Sequence, residues 1–124
     1  MHTGIRLVDS SDCLIHGCTV QDESDEGQTT GASLVEIENC RRISVSGCQF
    51  LDGVPYGIDV KKSSFVNVDG CTVMNTREKN KAKGSIRFTG KGENNFLSNL
   101  IAGGVILANK ECGVQMDERY RIHG

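Results

Sequence analysis

The sequence predicts an all-β fold, a parallel β-helix solenoid of about four to five coils with 23–30 residues each. An apolar-x-apolar triplet recurs five times in the 124 residues, and a Gly-Cys pair begins twelve residues after the start of each of the first three triplets. The triplets begin at Ile5, Val35, Ile58, Ile86 and Val114. The pairs are Gly17-Cys18, Gly47-Cys48 and Gly70-Cys71, and Ser98-Asn99 takes the same place in the fourth coil.

The residues around these landmarks alternate between apolar and polar, which indicates β-strands with one buried face. A short strand that recurs once per coil pairs with its equivalent in the next coil, in parallel and in register. Only the connection from Gly-Cys to the next triplet varies in length, and the third strand of each coil is expected within it. The expected inward columns are Ile5, Val35, Ile58, Ile86, Val114; Leu7, Ile37, Val60, Phe88, Met116; Cys13, Ile43, Val66, Asn94, Ile122; Ile15, Val45, Val68, Phe96; Cys18, Cys48, Cys71, Asn99; and Val20, Phe50, Val73, Ile101.

The column Cys18, Cys48 and Cys71 predicts structural cysteines that stack inward, reduced, about 4.8 Å apart along the solenoid axis. Three thiols in one column cannot all pair, and their spacing matches no zinc motif. A redox or metal role is the alternative. Asn99 continues the column and predicts an asparagine that hydrogen-bonds along the stack.

Composition excludes two classes of partner. The formal net charge of −2, with acidic and basic residues interspersed, predicts no nucleic-acid binding. No apolar run approaches the roughly 20 residues that span a bilayer, which predicts no membrane partner. Nothing in the composition divides residues 1–124, so a single domain is expected.

The repeat, an aliphatic-x-aliphatic triplet followed by alternating aliphatic residues and Gly-Cys, resembles the pectate-lyase-like superfamily of right-handed parallel β-helices from Gly4 to Met116. The resemblance implies right-handed coils and, by fold analogy, a secreted or cell-surface location. Such proteins are often polysaccharide lyases, glycoside hydrolases or epimerases, but non-catalytic surface proteins share the coils. The short motifs of the polygalacturonase and pectate lyase families are absent, so no catalytic residue is carried over.

The outward positions of the triplets form a charged column: Arg6, Glu36, Asp59, Arg87 and Gln115. Two carboxylates on adjacent strands, about 5 Å apart, could act as the acid pair of a retaining glycoside hydrolase or of a lyase. Glu36 and Asp59, assisted by Arg6, Arg87 and Lys61, are therefore the candidate catalytic residues. The alternative is a solvated charge ladder. Carboxylates that line a groove would favour catalysis, whereas carboxylates paired with the arginines on a flat face would favour the ladder.

Four further residues are candidates for substrate binding: Glu38, Tyr56, Gln115 and Asp117. Tyr56 could stack on a sugar ring, and Glu38 beside Lys61 could instead form a cross-strand ion pair. No defined metal site or cofactor is predicted, although the acidic run Asp22, Glu23, Asp25 and Glu26 could bind calcium.

Three functions remain open. The first is a structural or carbohydrate-binding segment of a larger surface or secreted β-helix protein. The second is a fragment of a polysaccharide lyase or glycoside hydrolase. The third is a module that self-associates into homo-oligomers through its coil ends, because exposed strand edges favour association. The first triplet begins at residue 5 and the fifth coil breaks off at residue 124, so the chain is expected to be part of a longer solenoid.

Overall fold

The computed structural model describes residues 5–21, 33–51, 56–74, 84–116 and 122–123. The described residues form short β-strands and a 3-10 helix, as follows. The elements are β1 (Ile5–Val8), β2 (Ser11–His16), β3 (Thr19–Gln21), β4 (Val35–Glu38), β5 (Arg41–Ser46), β6 (Gln49–Leu51), β7 (Ile58–Lys61), β8 (Ser64–Asp69), β9 (Thr72–Met74), β10 (Ile86–Thr89), β11 (Asn95–Ser98), β12 (Ile101–Ala102), β13 (Ile106–Ala108), the 3-10 helix Lys110–Cys112, β14 (Val114–Met116) and β15 (Ile122–His123).

The strands form three parallel sheets, and each sheet takes one strand from successive coils. The first sheet has the order β1-β4-β7-β10-β13-β15, the second β2-β5-β8-β11-β14, and the third β3-β6-β9-β12. Parallel pairing of each strand with its equivalent one coil away is the arrangement that the sequence repeat predicts. The fold is therefore a parallel β-helix of about five coils, and the fold prediction is confirmed.

Residues with positive φ turn the chain at the corners between sheets. One corner column has Gly17, Gly47 and Gly70 at φ between 60° and 66°, followed by Asn99 at 51°. Glycine adopts this left-handed conformation without steric cost, which explains the glycine of each Gly-Cys pair. The third strand starts two residues after that glycine, at Thr19, Gln49 and Thr72. The third strand therefore lies, as predicted, in the connection between Gly-Cys and the next triplet, and it begins directly after the pair because a one-residue left-handed turn suffices to separate the second and third strands.

The interior is filled by the predicted columns in the first three coils. Val35, Ile37, Ile43, Val45 and Phe50 are buried, as are their equivalents in the third coil. Burying an aliphatic or aromatic side chain of this size contributes about 1.5–3 kcal/mol. These columns are therefore the main source of stability.

The cysteine column has the predicted position. The Gln49 backbone N–H donates to the Cys18 carbonyl, the Thr72 N–H donates to that of Cys48, and both distances are 2.9 Å, which stacks the three cysteines at one corner. All six cysteines are free thiols. Burial raises the pKa of the Cys71 thiol, which keeps it protonated and unreactive.

The fourth coil departs from the predicted register by one residue. Its first corner holds Lys91, Gly92 and Glu93 between the left-handed residues Gly90 and Asn94, whereas the third coil has two residues between Lys62 and Phe65. Because strand side chains alternate, one extra residue exchanges the two faces of everything after it. The predicted inward residues Asn94, Phe96, Asn99 and Ile101 are exposed, and their neighbours Asn95, Leu97, Leu100 and Ala102 face inward.

The fourth coil is shorter than predicted. Ile106–Ala108 pairs with Ile86–Phe88 in the first sheet, the place expected for Val114–Met116. Val114–Met116 instead pairs with Asn95–Leu97 in the second sheet. Ile122, predicted for the second strand, pairs with Ile106 in the first sheet. The fifth triplet was therefore assigned to the wrong sheet, since twenty residues separate Ile86 from Ile106 and the preceding coil has 28.

The corrected register makes a direct prediction about stability. Leu97→Ala is expected to lower the free energy of unfolding by about 2–3 kcal/mol, because Leu97 is 1% exposed and its removal leaves a cavity in the core. Phe96→Ala removes a larger side chain from the outer face, 41% exposed, and is expected to cost less than about 1 kcal/mol. Urea unfolding of both variants measures the difference. A larger loss of unfolding free energy for Phe96→Ala than for Leu97→Ala would instead favour the register predicted from the sequence, in which Phe96 faces inward.

Candidate functional site

The charged column on the outer face of the first sheet is in the predicted register. Arg6 lies opposite Glu36, Glu36 opposite Asp59, and Asp59 opposite Arg87. Arg87 donates two hydrogen bonds to Asp59, from Nε to Oδ1 at 3.0 Å and from Nη2 to Oδ2 at 2.6 Å. Asp59 is 3% exposed. The hydrogen bond to Asp59 raises the pKa of the Arg87 guanidinium, so Arg87 stays charged.

Glu36 also has partners of its own. Its Oε1 lies 3.9 Å from Arg6 Nε, and its Oε2 accepts a hydrogen bond from the Ser33 backbone N–H at 3.2 Å. Both candidate acids are therefore hydrogen-bond acceptors next to arginine, the arrangement of a charge ladder. A general acid must instead hold a proton to donate. The catalytic assignment of Glu36 and Asp59, with Arg6, Arg87 and Lys61, stays a prediction.

Tyr56 and the pair Glu38 and Lys61 border this column. Tyr56 is 4% exposed, and the Arg87 guanidinium lies over its ring, 4.5 Å from the centroid. A sugar could stack on Tyr56 only after displacing Arg87. Glu38 lies opposite Lys61, but the ion pairs found in the described part of the chain do not include the two.

A groove follows the corner between the first and second sheets, and we call it the corner groove. It consists of two depressions of about 360 and 380 Å³ that share Ser64. Arg41, which lies over the Phe65 ring at 4.6 Å, has no ion-pair partner in the described ranges. The first depression is lined by Asp9, Ser10, Ser11, Asn39, Cys40, Arg41, Lys62 and Ser64, and the second by Ser64, Lys91, Gly92, Glu93 and Glu111.

The outer face of the second sheet, the second-sheet face, carries small polar side chains that hydrogen-bond along the stack. A hydrogen bond of 2.9 Å joins His16 Nδ1 and Ser46 Oγ. The Ser98 hydroxyl and the Asn99 amide both donate to Asp69 Oδ1, at 2.7 and 3.0 Å. These hydrogen bonds hold the pKa of Asp69 below its ordinary value of 3.8. Its stabilising contribution is therefore present above that value and is lost as the pH falls through the lowered pKa.

Phe96 is an exposed aromatic side chain on this face. It lies between Asn67 of β8 and Gln115 of β14 in the strand register. Beside it is a depression of about 410 Å³, lined by Phe96, Leu97, Ser98, Gln115 and Met116. An aromatic ring with amide and hydroxyl groups around it can hold a sugar ring by stacking and hydrogen bonding.

Comparison with known proteins identifies the family to which the chain belongs. Residues 1–116 match the family model described as right-handed beta helix region. The chain belongs to this family. No match was found among curated proteins or among solved structures.

The right-handed β-helix brings some predicted site residues together and separates others. Gln115 was expected on the first sheet beside Arg87, but it lies on the second sheet beside Phe96, because the fourth coil is shorter than predicted. Asp117 and the candidate calcium run Asp22, Glu23, Asp25 and Glu26 lie outside the described residues. Within the described ranges, no group of three or more His, Cys, Asp or Glu side chains could hold a metal ion, and no helix is long and apolar enough to cross a membrane.

The sequence pattern did not predict that Phe96 lies on the surface of this β-helix, and it did not predict the corner groove. Phe96 was assigned to the core because the fourth coil was aligned without the extra corner residue. The signal was Gly90-Lys91-Gly92, two closely spaced glycines that lengthen a turn. No short stretch of the sequence indicates the corner groove, because its residues come from corners that lie a full coil apart in the chain.

Proposed function

We propose that this right-handed β-helix is a non-catalytic, polysaccharide-binding segment of a secreted or cell-surface protein. The observation that supports it is the corner groove, which runs from the first coil to the fifth and collects hydroxyl, amide, cationic and carboxylate groups. Corners of successive coils lie about 4.8 Å apart, so the groove offers similar polar groups at regular steps. A polysaccharide offers hydroxyl groups at regular steps in the same way.

The groups in the groove are suited to bind hydroxyl oxygens. The Ser64 oxygen accepts the Glu93 backbone N–H at 3.1 Å, which leaves its own hydrogen free to donate. The Arg41 guanidinium is held over Phe65 and presents several N–H donors without an acidic partner in the described ranges. Asp9 accepts a hydrogen bond from Asn39 at 2.6 Å, which orients both side chains at the first coil.

We propose that the chain is not catalytic because of the burial and hydrogen bonding of the candidate acid Asp59. Asp59 is nearly buried and is held at both oxygens by Arg87, so it is poorly placed to donate or accept a proton on a sugar. A lyase or hydrolase that uses Glu36 and Asp59 is the competing function, and the experiment below separates the two.

A panel of neutral and acidic polysaccharides, scored for binding and for release of reducing or unsaturated ends, tests the proposal. Binding without release is expected. Arg41→Ala is expected to weaken binding about fivefold, the effect of one lost hydrogen bond of about 1 kcal/mol. Arg42→Ala is the matched control, because Arg42 is the adjacent residue, carries the same charge and is paired with Asp12.

Glu36→Gln and Asp59→Asn distinguish the competing function. Release of sugar ends by the natural chain that either variant abolishes would replace the proposal with an enzyme. Binding to no member of the panel would reject the polysaccharide-binding function.

Self-association is a second proposal, favoured by the half-exposed inward residues Ile5, Leu7 and Val20 of the first coil. A sedimentation coefficient that stays at the monomer value as the protein concentration rises would exclude it.

A further inference from the structure

We propose that Phe96, Asn67 and Gln115 form a second binding site, for a single ring of a neutral sugar, on the second-sheet face. The ligand class rests on the proposed function, whereas the place of the site rests on the geometry of the fourth and fifth coils. The site is separate from the corner groove, since the two share no lining residue.

The platform of the site is the Phe96 ring. Its strand places it outward, where it is 41% exposed, and the depression beside it has about 410 Å³. This volume lies within the range of about 300–1,000 Å³ that is usual for small-ligand sites. Aromatic faces bind the apolar C–H face of a sugar ring, because both surfaces are flat and poorly hydrated.

Two side-chain amides flank the platform. Asn67 and Gln115 are the cross-strand neighbours of Phe96 on either side, and both are exposed. Neither amide forms a hydrogen bond with another described residue, so their donors and acceptors are available to a ligand. Asn67 and Gln115 each offer two N–H donors and one carbonyl oxygen, which match the donor and acceptor character of sugar hydroxyls. A stacked ring would therefore be held at its face by Phe96 and at its edges by both amides.

The charge beside the site selects for a neutral sugar. Asp69, two residues after Asn67, accepts hydrogen bonds from Asn99 and from Ser98, and Ser98 lines the depression. A carboxylate in this position repels the carboxylate of an acidic sugar. It can still accept a hydrogen bond from a neutral sugar hydroxyl.

Titration calorimetry and saturation-transfer NMR with cellotetraose, mannotetraose and xylotetraose test the site, with tri-galacturonate as the acidic comparison. Phe96→Ala is expected to weaken the binding of at least one neutral oligosaccharide about tenfold, and Phe96→Tyr is expected to retain it, because the tyrosine ring offers the same stacking face. Leu14→Ala is the matched control, since Leu14 is an exposed apolar residue in the same outward column, at the other end of the stack.

The outcomes separate this site from the corner groove. Loss of binding in Phe96→Ala and in Asn67→Ala, with Leu14→Ala unchanged, supports the site. Binding that persists in Phe96→Ala but fails in Arg41→Ala rejects the site and leaves the proposed function standing. Stronger binding of tri-galacturonate that also depends on Phe96 rejects the neutral class. Binding of none of the four sugars by the natural chain rejects the site.

Discussion

Replacing Asn95 with alanine is expected to lower the free energy of unfolding by about 4 kcal/mol, because a buried polar group left without a partner costs about 1–3 kcal/mol and this variant creates three. Asn95 is fully buried at the start of β11. Its Oδ1 accepts the Val66 backbone N–H at 2.9 Å. Its Nδ2 donates to the carbonyl oxygens of Ser63 and Cys112, at 3.0 and 2.7 Å. One side chain therefore joins the third, fourth and fifth coils.

Urea unfolding followed by circular dichroism measures this loss. Asn67→Ala is the matched control, because it removes the same amide from the outer face of the adjacent strand, where a change of about 0.5 kcal/mol or less is expected. Asn95→Asp should also destabilise, since a carboxylate cannot donate to the two carbonyls. Equal unfolding midpoints for Asn95→Ala and Asn67→Ala would contradict the three-coil role of Asn95.

Replacing Arg87 with methionine is expected to cost about 3 kcal/mol, because it leaves the nearly buried Asp59 carboxylate without its cation. The guanidinium also covers the Tyr56 ring, so the variant loses packing as well as charge. Arg6→Met is the matched control on the same outer column. Arg6 is exposed and lies 3.9 Å from Glu36, so its loss is expected to cost less than about 1 kcal/mol.

A double variant tests whether the cost comes from the unpaired charge. Asp59→Asn combined with Arg87→Met removes both charges, and it should be more stable than Arg87→Met alone. The three variants are compared by their unfolding free energies in urea. If the double variant is less stable than Arg87→Met, the unpaired Asp59 carboxylate does not destabilise the fold. Asp59 would then again be a candidate acid.

Much of the fold could be predicted from the residues themselves. The alternation around Val35, Ile58 and Ile86 places one strand face inward in each coil, and the corresponding strands pair as predicted. The Gly-Cys pairs mark a corner because glycine accepts the left-handed conformation that the turn requires. These features depend on neighbours within a few positions, so local physics is enough to predict them.

The candidate site could be predicted only in part. The column Arg6, Glu36, Asp59 and Arg87 follows from the register, but which charge pairs with which depends on side-chain geometry that spacing does not contain. Phe96 was placed in the core, because a single added corner residue near Gly92 reverses the face of every later position in the coil. Asn95 lies between Asn94 and Phe96, which were both predicted to face inward, and its three hydrogen-bond partners belong to the third and fifth coils.

By itself, the sequence determined that this chain is a stack of parallel strands with an aliphatic interior and stacked cysteines, because alternation and glycine turns act over a few residues. Only the tertiary structure decided where Phe96, Gln115 and Ile122 lie and that Arg87 neutralises Asp59. The physical reason is that each strand pairs with one about 16–30 residues away. A change of one residue in a corner, or of eight in a coil, therefore leaves the local pattern intact while it changes every contact between coils.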